Sequence, residues 1–351
     1  MAMATNSSAV AIKAAIDGKL RLLKKMASRM DLREAKDPNV GSLLHLAAAR
    51  GHVEICRLLV EESGLDVNCT NPDGETPVAV AATGGEVGVL RYLLDHGSDP
   101  AMPDAAGGTP LHIAAENGHE EAVRLLLSRG VDVDPLNNRC VTPLNIASGK
   151  GHDQALKVLL EHSADPNRGA HNIFSPLMMA CTSGSLKCIK LLVEAGADVN
   201  FKSPCGASPL LKAVVDGSTD IVKFLLEAGA NPNTPDMFGE IPIMHAAHEG
   251  RRDLVKVIFP HTKPISSLPN WNVDGIITTI KHMPSNAKRF RDGELALLDA
   301  QKCKMMRPRK AWYRDGAALS LLKNYKGAAN AFVEALNLDP ANDEIKTALR
   351  Q

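Results

Sequence analysis

Three histidines, His45, His112 and His245, and seven cysteines are the side chains of this 351-residue chain best suited to acid–base, nucleophilic or metal chemistry. An imidazole becomes a base or a ligand when partners stand at fixed spacing, as in H-E-x-x-H, or beside a C-x-x-C pair. Neither pattern occurs. Cys56, Cys69, Cys140, Cys181, Cys188, Cys205 and Cys303 are odd in number and scattered. They read as small buried thiols in a reducing compartment, not as a disulfide framework or a metal cage. No G-x-x-x-x-G-K-[ST], G-x-G-x-x-G or G-x-S-x-G stands between a strand and a helix, and Gly84-Gly85 and Gly107-Gly108 read as turns. The histidines are therefore read as structural, with no catalytic residue, metal or cofactor expected and no enzyme activity. Lys310 and Arg314, four apart on one helical face, are the remaining pair whose spacing could bind an anion.

The elements that must position these residues repeat along the chain. SLLHLAAARGH from Ser42, TPVAVAATGGE from Thr76, TPLHIAAENGH from Thr109, TPLNIASGKGH from Thr142, SPLMMACTSGS from Ser175, SPLLKAVVDGS from Ser208 and IPIMHAAHEGR from Ile241 start 34, 33, 33, 33, 33 and 33 residues apart. A fixed period of this length is the mark of a stacked array. In each unit a Ser or Thr hydroxyl caps the free N–H groups of a helix, and Pro follows where no N–H is needed. Leu and Ala recur at helical spacing, and a glycine such as Gly118, Gly151, Gly184, Gly217 or Gly250 closes the helix. A second helix follows, exemplified by AVRLLLSRG and IVKFLLEAG, and ends at Gly130, Gly196 or Gly229. An extended turn then returns to the next Ser/Thr-Pro.

Down to TPLH and G-A-D-V-N, these units resemble ankyrin repeats over about residues 37 to 260. The resemblance implies an all-α solenoid with β-hairpin-like fingers. Residues 9 to 36 look like a degenerate first repeat, so 1–36 is expected to be an N-terminal cap and 37–260 to hold seven repeats. The TPLH histidine, which in the family ties adjacent backbone segments together, is kept at His45 and His112 and replaced by Ala79, Asn145, Met178, Leu211 and Met244 elsewhere. The middle and late repeats are expected to rely more on apolar packing.

Residues 261–293 contain Pro264, Pro269 and Pro284 and show no helical period, which reads as a linker. Beyond it, Trp312, Gly316, Ala328, Phe332, Ala335 and Pro340 resemble one tetratricopeptide repeat, and Ala296, Ala300, Cys303 and Pro308 the second helix of another. Residues 294–351 are thus expected to be a partial tetratricopeptide region, and the combination, LPNWNVDGI included, resembles plant ankyrin–tetratricopeptide proteins with a shortened tail. Lys310 and Arg314 match the third-repeat residues with which such domains clamp a terminal carboxylate. The resemblance implies at most weak binding of heat-shock chaperone tails, because the first- and second-repeat contributors are missing.

Lys plus Arg and Asp plus Glu number 40 each, so no global charge attracts nucleic acid or an anionic membrane. The N-terminus lacks a basic stretch followed by an apolar run, and no window nears the ~20 apolar residues of a membrane helix. KRFR from Lys288 to Arg291 could be a weak nuclear signal or a solvated linker. The expected setting is the cytoplasm, with the nucleus as a further site. The expected function is a protein-binding scaffold using its fingers and first-helix face, with Asp73, Asp104, Asn138, His171, Pro204 and Met237 exposed at the finger tips. A chaperone cofactor acting through the tail and a non-catalytic targeting subunit of an enzyme complex are the alternatives.

Overall fold

The computed structural model describes residues 2–169, 174–203, 206–266, 268 and 270–282. The chain divides into two units, Met1–Arg168 and Gly169–Gln351. The expected tetratricopeptide region with Lys310 and Arg314, and the finger residues His171 and Pro204, lie outside the described residues.

The first unit opens with a helical pair, Ala2–Ile16 and Leu20–Ala27. Ala11, Ala14, Ala15 and Leu23 of this pair are fully buried. Its helices pack against the first and second helices of the next repeat. Four helical pairs follow. They are Leu43–Ala48 with Val53–Arg57, running on into one wide turn at Leu58–Glu62, then Pro77–Gly84 with Val87–Asp95, Pro110–Asn117 with Glu120–Leu127, and Pro143–Lys150 with Asp153–Glu161. The second unit holds Pro176–Ser183 with Leu186–Glu194, Pro209–Asp216 with Thr219–Glu227, and Pro242–His248 with Arg252–Ile258.

The hydroxyl caps form as the sequence implies. Thr76 Oγ1 accepts the Ala79 N–H at 3.2 Å, and Ser208 Oγ accepts that of Leu211 at 3.1 Å. Small residues let the first helices approach: Ala81, Ala82, Ala114, Ala115 and Ala147 are buried where successive first helices meet in the first unit. The leucine stripe of the second helices fills the other half of the core, with Leu90, Leu93, Leu126 and Leu159 fully buried. No helix among the described residues is long and apolar enough to cross a membrane.

The described fingers are hairpin-like, and in the first a two-residue antiparallel ladder forms, Lys36–Asp37 against Gly41–Ser42. One expectation changes. The stretch read as a linker contains a helix, Val273–Lys281, capped by Asn272 Oδ1 accepting the Gly275 N–H at 2.8 Å. Ile276 and Ile280 are fully buried, and the helix packs on Pro242–His248 and Arg252–Ile258. The prolines at 264, 269 and 284 lie outside it, whereas Val273, Ile276, Ile277 and Ile280 keep helical spacing between them.

Candidate protein-binding surface

Among the described residues, five fingers turn on one polar side chain each. Asn71, Asp104, Asn137 and Asp236 each accept, through one side-chain oxygen, the N–H groups two and four residues on, at 2.7–3.1 Å. Ser203 Oγ accepts from Ala207 N at 3.0 Å in the same register. The backbone closes the loop: the N–H three residues on bonds the carbonyl of the same residue, as Gly107 does to Asp104 at 2.9 Å. That third residue has positive φ, 74° at Gly107 and 81° at Gly206 and Gly239. Cys140 occupies the same place at φ 50°, a conformation that costs a residue bearing a Cβ.

This register sorts the expected finger-tip residues. Asp73 and Asn138 are exposed, Met237 is half-buried, and Asp104 is half-buried with its carboxylate committed to the turn. Asp104 is thus a framework residue, one position before Ala105, which occupies the exposed place equivalent to Asn138. Within the first unit neighbouring fingers are joined by Ala105 N–H to Asp73 O and Asn138 N–H to Ala106 O, both 3.0 Å. Leu136, 46 % exposed, stands two residues before Asn138. On the first helices Val80, Ile113 and Ile146, 33 residues apart, are half-buried and form a row beside exposed Thr83, Glu116, Asn117 and Lys150. The second helices present instead charged side chains paired between repeats, such as Arg129 with Asp95 at 2.6 Å and Arg124 with Glu161 at 3.5 Å.

The histidines are structural where the TPLH pattern holds. His45 Nε2 lies 3.0 Å from Glu75 O and His112 Nε2 lies 3.0 Å from Val141 O, each reaching the next finger. Burial pulls both imidazoles below their ordinary pKa, which keeps them neutral. Asn145 caps Thr142 in the same way, its Oδ1 accepting from the Thr142 N–H at 3.1 Å. A second set of ties was not recognised from the sequence. His52, His119 and His152 place Nε2 2.9–3.0 Å from the carbonyls of Ile16, Thr83 and Glu116 in the first helix of the preceding helical pair. Their signal was the Gly-His pair at 51–52, 118–119 and 151–152, and Arg251 takes that place in the seventh repeat, bonding Val214 O and Val215 O at 3.0 Å.

Cys56, Cys181 and Cys188 are buried and Cys69 and Cys140 half-buried, and none of these five forms a disulfide. Burial pushes the thiols of Cys56 and Cys181 up to about 12, which removes their nucleophilicity. Among the described residues one group has the donors to hold a metal ion, Asp236, Glu240 and His245, all buried.

A family model described as ankyrin repeats (3 copies) matches residues 11–104, 44–137, 96–170, 134–203 and 177–267. Protein phosphatase 1 regulatory subunit 12A of Mus musculus is 42% identical over 66 residues, 19% of this chain and 6% of that protein. Delta-latroinsectotoxin-Lt1a of Latrodectus tredecimguttatus is 35% identical over 86 residues, 24% of this chain and 7% of that protein. The chain therefore spans a small fraction of these relatives' length. The human ASB11 ankyrin repeat domain superposes with a TM-score of 0.54 at 25% identity, covering 69% of this chain and 99% of that one. The ankyrin repeat domain of Bcl-3 gives 0.55 at 27% identity, covering 63% and 99%. With matched repeats running from residue 11 to residue 267 and the same helix–turn–helix units throughout the described residues, this chain belongs to the ankyrin-repeat family.

Proposed function

We propose that the chain is a non-catalytic scaffold that binds other proteins across the fingers and first helices of its first unit. The observation that carries this reading is the asymmetry of the surface. Val80, Ile113 and Ile146 leave a half-exposed apolar row beside exposed Asp73, Leu136 and Asn138, while the second helices are occupied by ion pairs between repeats. Apolar area rimmed by polar groups is what a protein interface uses. The test is capture of partners by the intact chain, compared with Leu136→Asp and Ile113→Gln variants of unchanged circular dichroism. Loss of the same partners in both variants supports the reading. Undiminished capture by both overturns it.

A subunit that targets or regulates an enzyme is the second reading, supported by the likeness to a phosphatase regulatory subunit. Co-purification of a phosphatase or another catalytic chain, lost in the Leu136→Asp variant, would favour it. The tetratricopeptide resemblance of residues 294–351 supports a smaller role for the tail. An ion pair in water gains about 0–1 kcal/mol, and Lys310 and Arg314 are the two clamp cations that the resemblance supplies. A chaperone tail peptide is thus expected to bind with Kd at or above ~1 mM. Micromolar binding abolished by Lys310→Ala with Arg314→Ala would make the chain a chaperone cofactor instead. The cytoplasm, with the nucleus second, is the proposed setting, and a plant source is proposed on the same resemblance.

A further inference from the structure

The seventh repeat departs from the others where its first helix begins. Ile241 stands in the place of the Ser or Thr cap, and Pro242–His248 has no side-chain cap bond. Beside that helix start lie two carboxylates and two imidazoles with very little access to water. The side chains of Asp236, Glu240, His245 and His248 are 0, 7, 1 and 4% exposed. His245 Nε2 is 2.9 Å from Asp236 Oδ2 and 3.5 Å from Glu240 Oε2, and His248 Nε2 is 3.8 Å from Glu240 Oε1. His245 and His248 are three apart on one helical face. Asp236 is aimed at this point by its own turn: Oδ1 accepts the Phe238 and Glu240 N–H groups, leaving Oδ2 towards His245.

We propose that Asp236, Glu240 and His245, with His248 beside them, form a structural site for a divalent cation of the zinc type. Metal–nitrogen and metal–oxygen bonds near 2.0–2.2 Å in a tetrahedron set ligand atoms about 3.3–3.5 Å apart. The distances from His245 Nε2 to Asp236 Oδ2 and Glu240 Oε2, 2.9 and 3.5 Å, lie near that spacing, and the three ligand atoms all fall within 4.8 Å of one another. The donor types agree as well. Two carboxylates and an imidazole, all buried, offer these ligand atoms. Carboxylate oxygen and imidazole nitrogen are the donors that a zinc-type ion takes. Imidazole donors favour zinc over magnesium or calcium, which take oxygen. The backbone bonds to Asp236 Oδ1 supply the outer orientation that metal carboxylates need. The ion would join the turn to the helix that lacks its hydroxyl cap.

The test uses the intact chain, stripped of metal, titrated with zinc against a chromogenic chelator and melted with and without zinc. One equivalent bound with a raised Tm is expected. Asp236→Asn, which keeps the turn acceptor, and His245→Gln should each weaken binding at least about tenfold. Cobalt substitution reads the donors in the unaltered chain, so the test survives if a variant fails to fold. A tetrahedral spectrum free of thiolate charge transfer supports the site. No bound zinc, a thiolate band, affinity unchanged from the unaltered chain in both variants, or a stability that follows pH but ignores zinc overturns it.

Discussion

His112 bridges two repeats of the first unit. Its Nδ1 accepts the Thr109 N–H at 3.1 Å, so Nε2 carries the proton and donates it to the Val141 carbonyl at 3.0 Å. The side chain is 2% exposed. His112→Asn keeps the inner bond and loses the outer one, leaving a buried carbonyl unmet. The expected cost is about 1–3 kcal/mol, read from the urea midpoint at pH 8. An unchanged midpoint would mean that Val141 finds another donor.

The same histidine and His45 make stability pH-dependent. Both have folded pKa values below the ordinary one, because burial penalises the imidazolium. Between the folded and unfolded pKa the unfolded chain binds more protons, so stability rises with pH there. It should be full above about pH 6.5 and fall as pH drops below that value. Denaturation midpoints measured from pH 8 to pH 5 should show this fall, with a shallower slope in His112→Asn. A slope the variant leaves untouched would assign the effect to other groups.

Cys140 and Gly107 occupy the same turn position, yet Cys140 has a Cβ at φ 50°. Relief of left-handed strain is worth about 1–2 kcal/mol, offset by about 0.4–1 kcal/mol of added unfolded-state freedom. Cys140→Gly should therefore stabilise by up to about 1.6 kcal/mol. Gly107→Cys should do the opposite and more strongly, since a Cβ there would meet Asn138 N at 2.7 Å. Calorimetric Tm values for the two variants should move in opposite directions.

Leu126 is fully buried in the leucine stripe of Glu120–Leu127. Leu126→Ala should cost about 2–5 kcal/mol. Because repeats couple to neighbours, amide protection should fall first in Val87–Asp95 and Asp153–Glu161, the helices packed on either side. A loss under about 0.5 kcal/mol, the range of surface substitutions, would contradict the burial.

The helix Val273–Lys281 departs from the linker reading of residues 261–293 and ties this stretch to the last repeat. Ile276 and Ile280 cover the last repeat and Asp274 pairs with Arg252. Ile276→Ala with Ile280→Ala in the intact chain should lower the Tm of the second unit by several degrees, as the loss of two buried methyl clusters implies. An unaltered Tm would show that this helix contributes little beyond its own fold.

Period and helix phase were legible in the residues themselves. A unit that buries its core against copies of itself repeats its caps, alanines and leucine stripe every 33 positions, and the burial of Leu126 and the TPLH histidine ties follow from that. Single-position departures were not legible, because their meaning depends on what faces them in space. Asp104 looks like a surface acid until the turn brings the Ala106 and Gly108 amides to its carboxylate. Asp236, Glu240, His245 and His248 match no metal motif, since a turn and a helix start bring them together at intervals of four, five and three. Local pattern determines which segments are helical and which face they bury; only the packed chain decides which polar side chains lose water together, and those are where new chemistry arises.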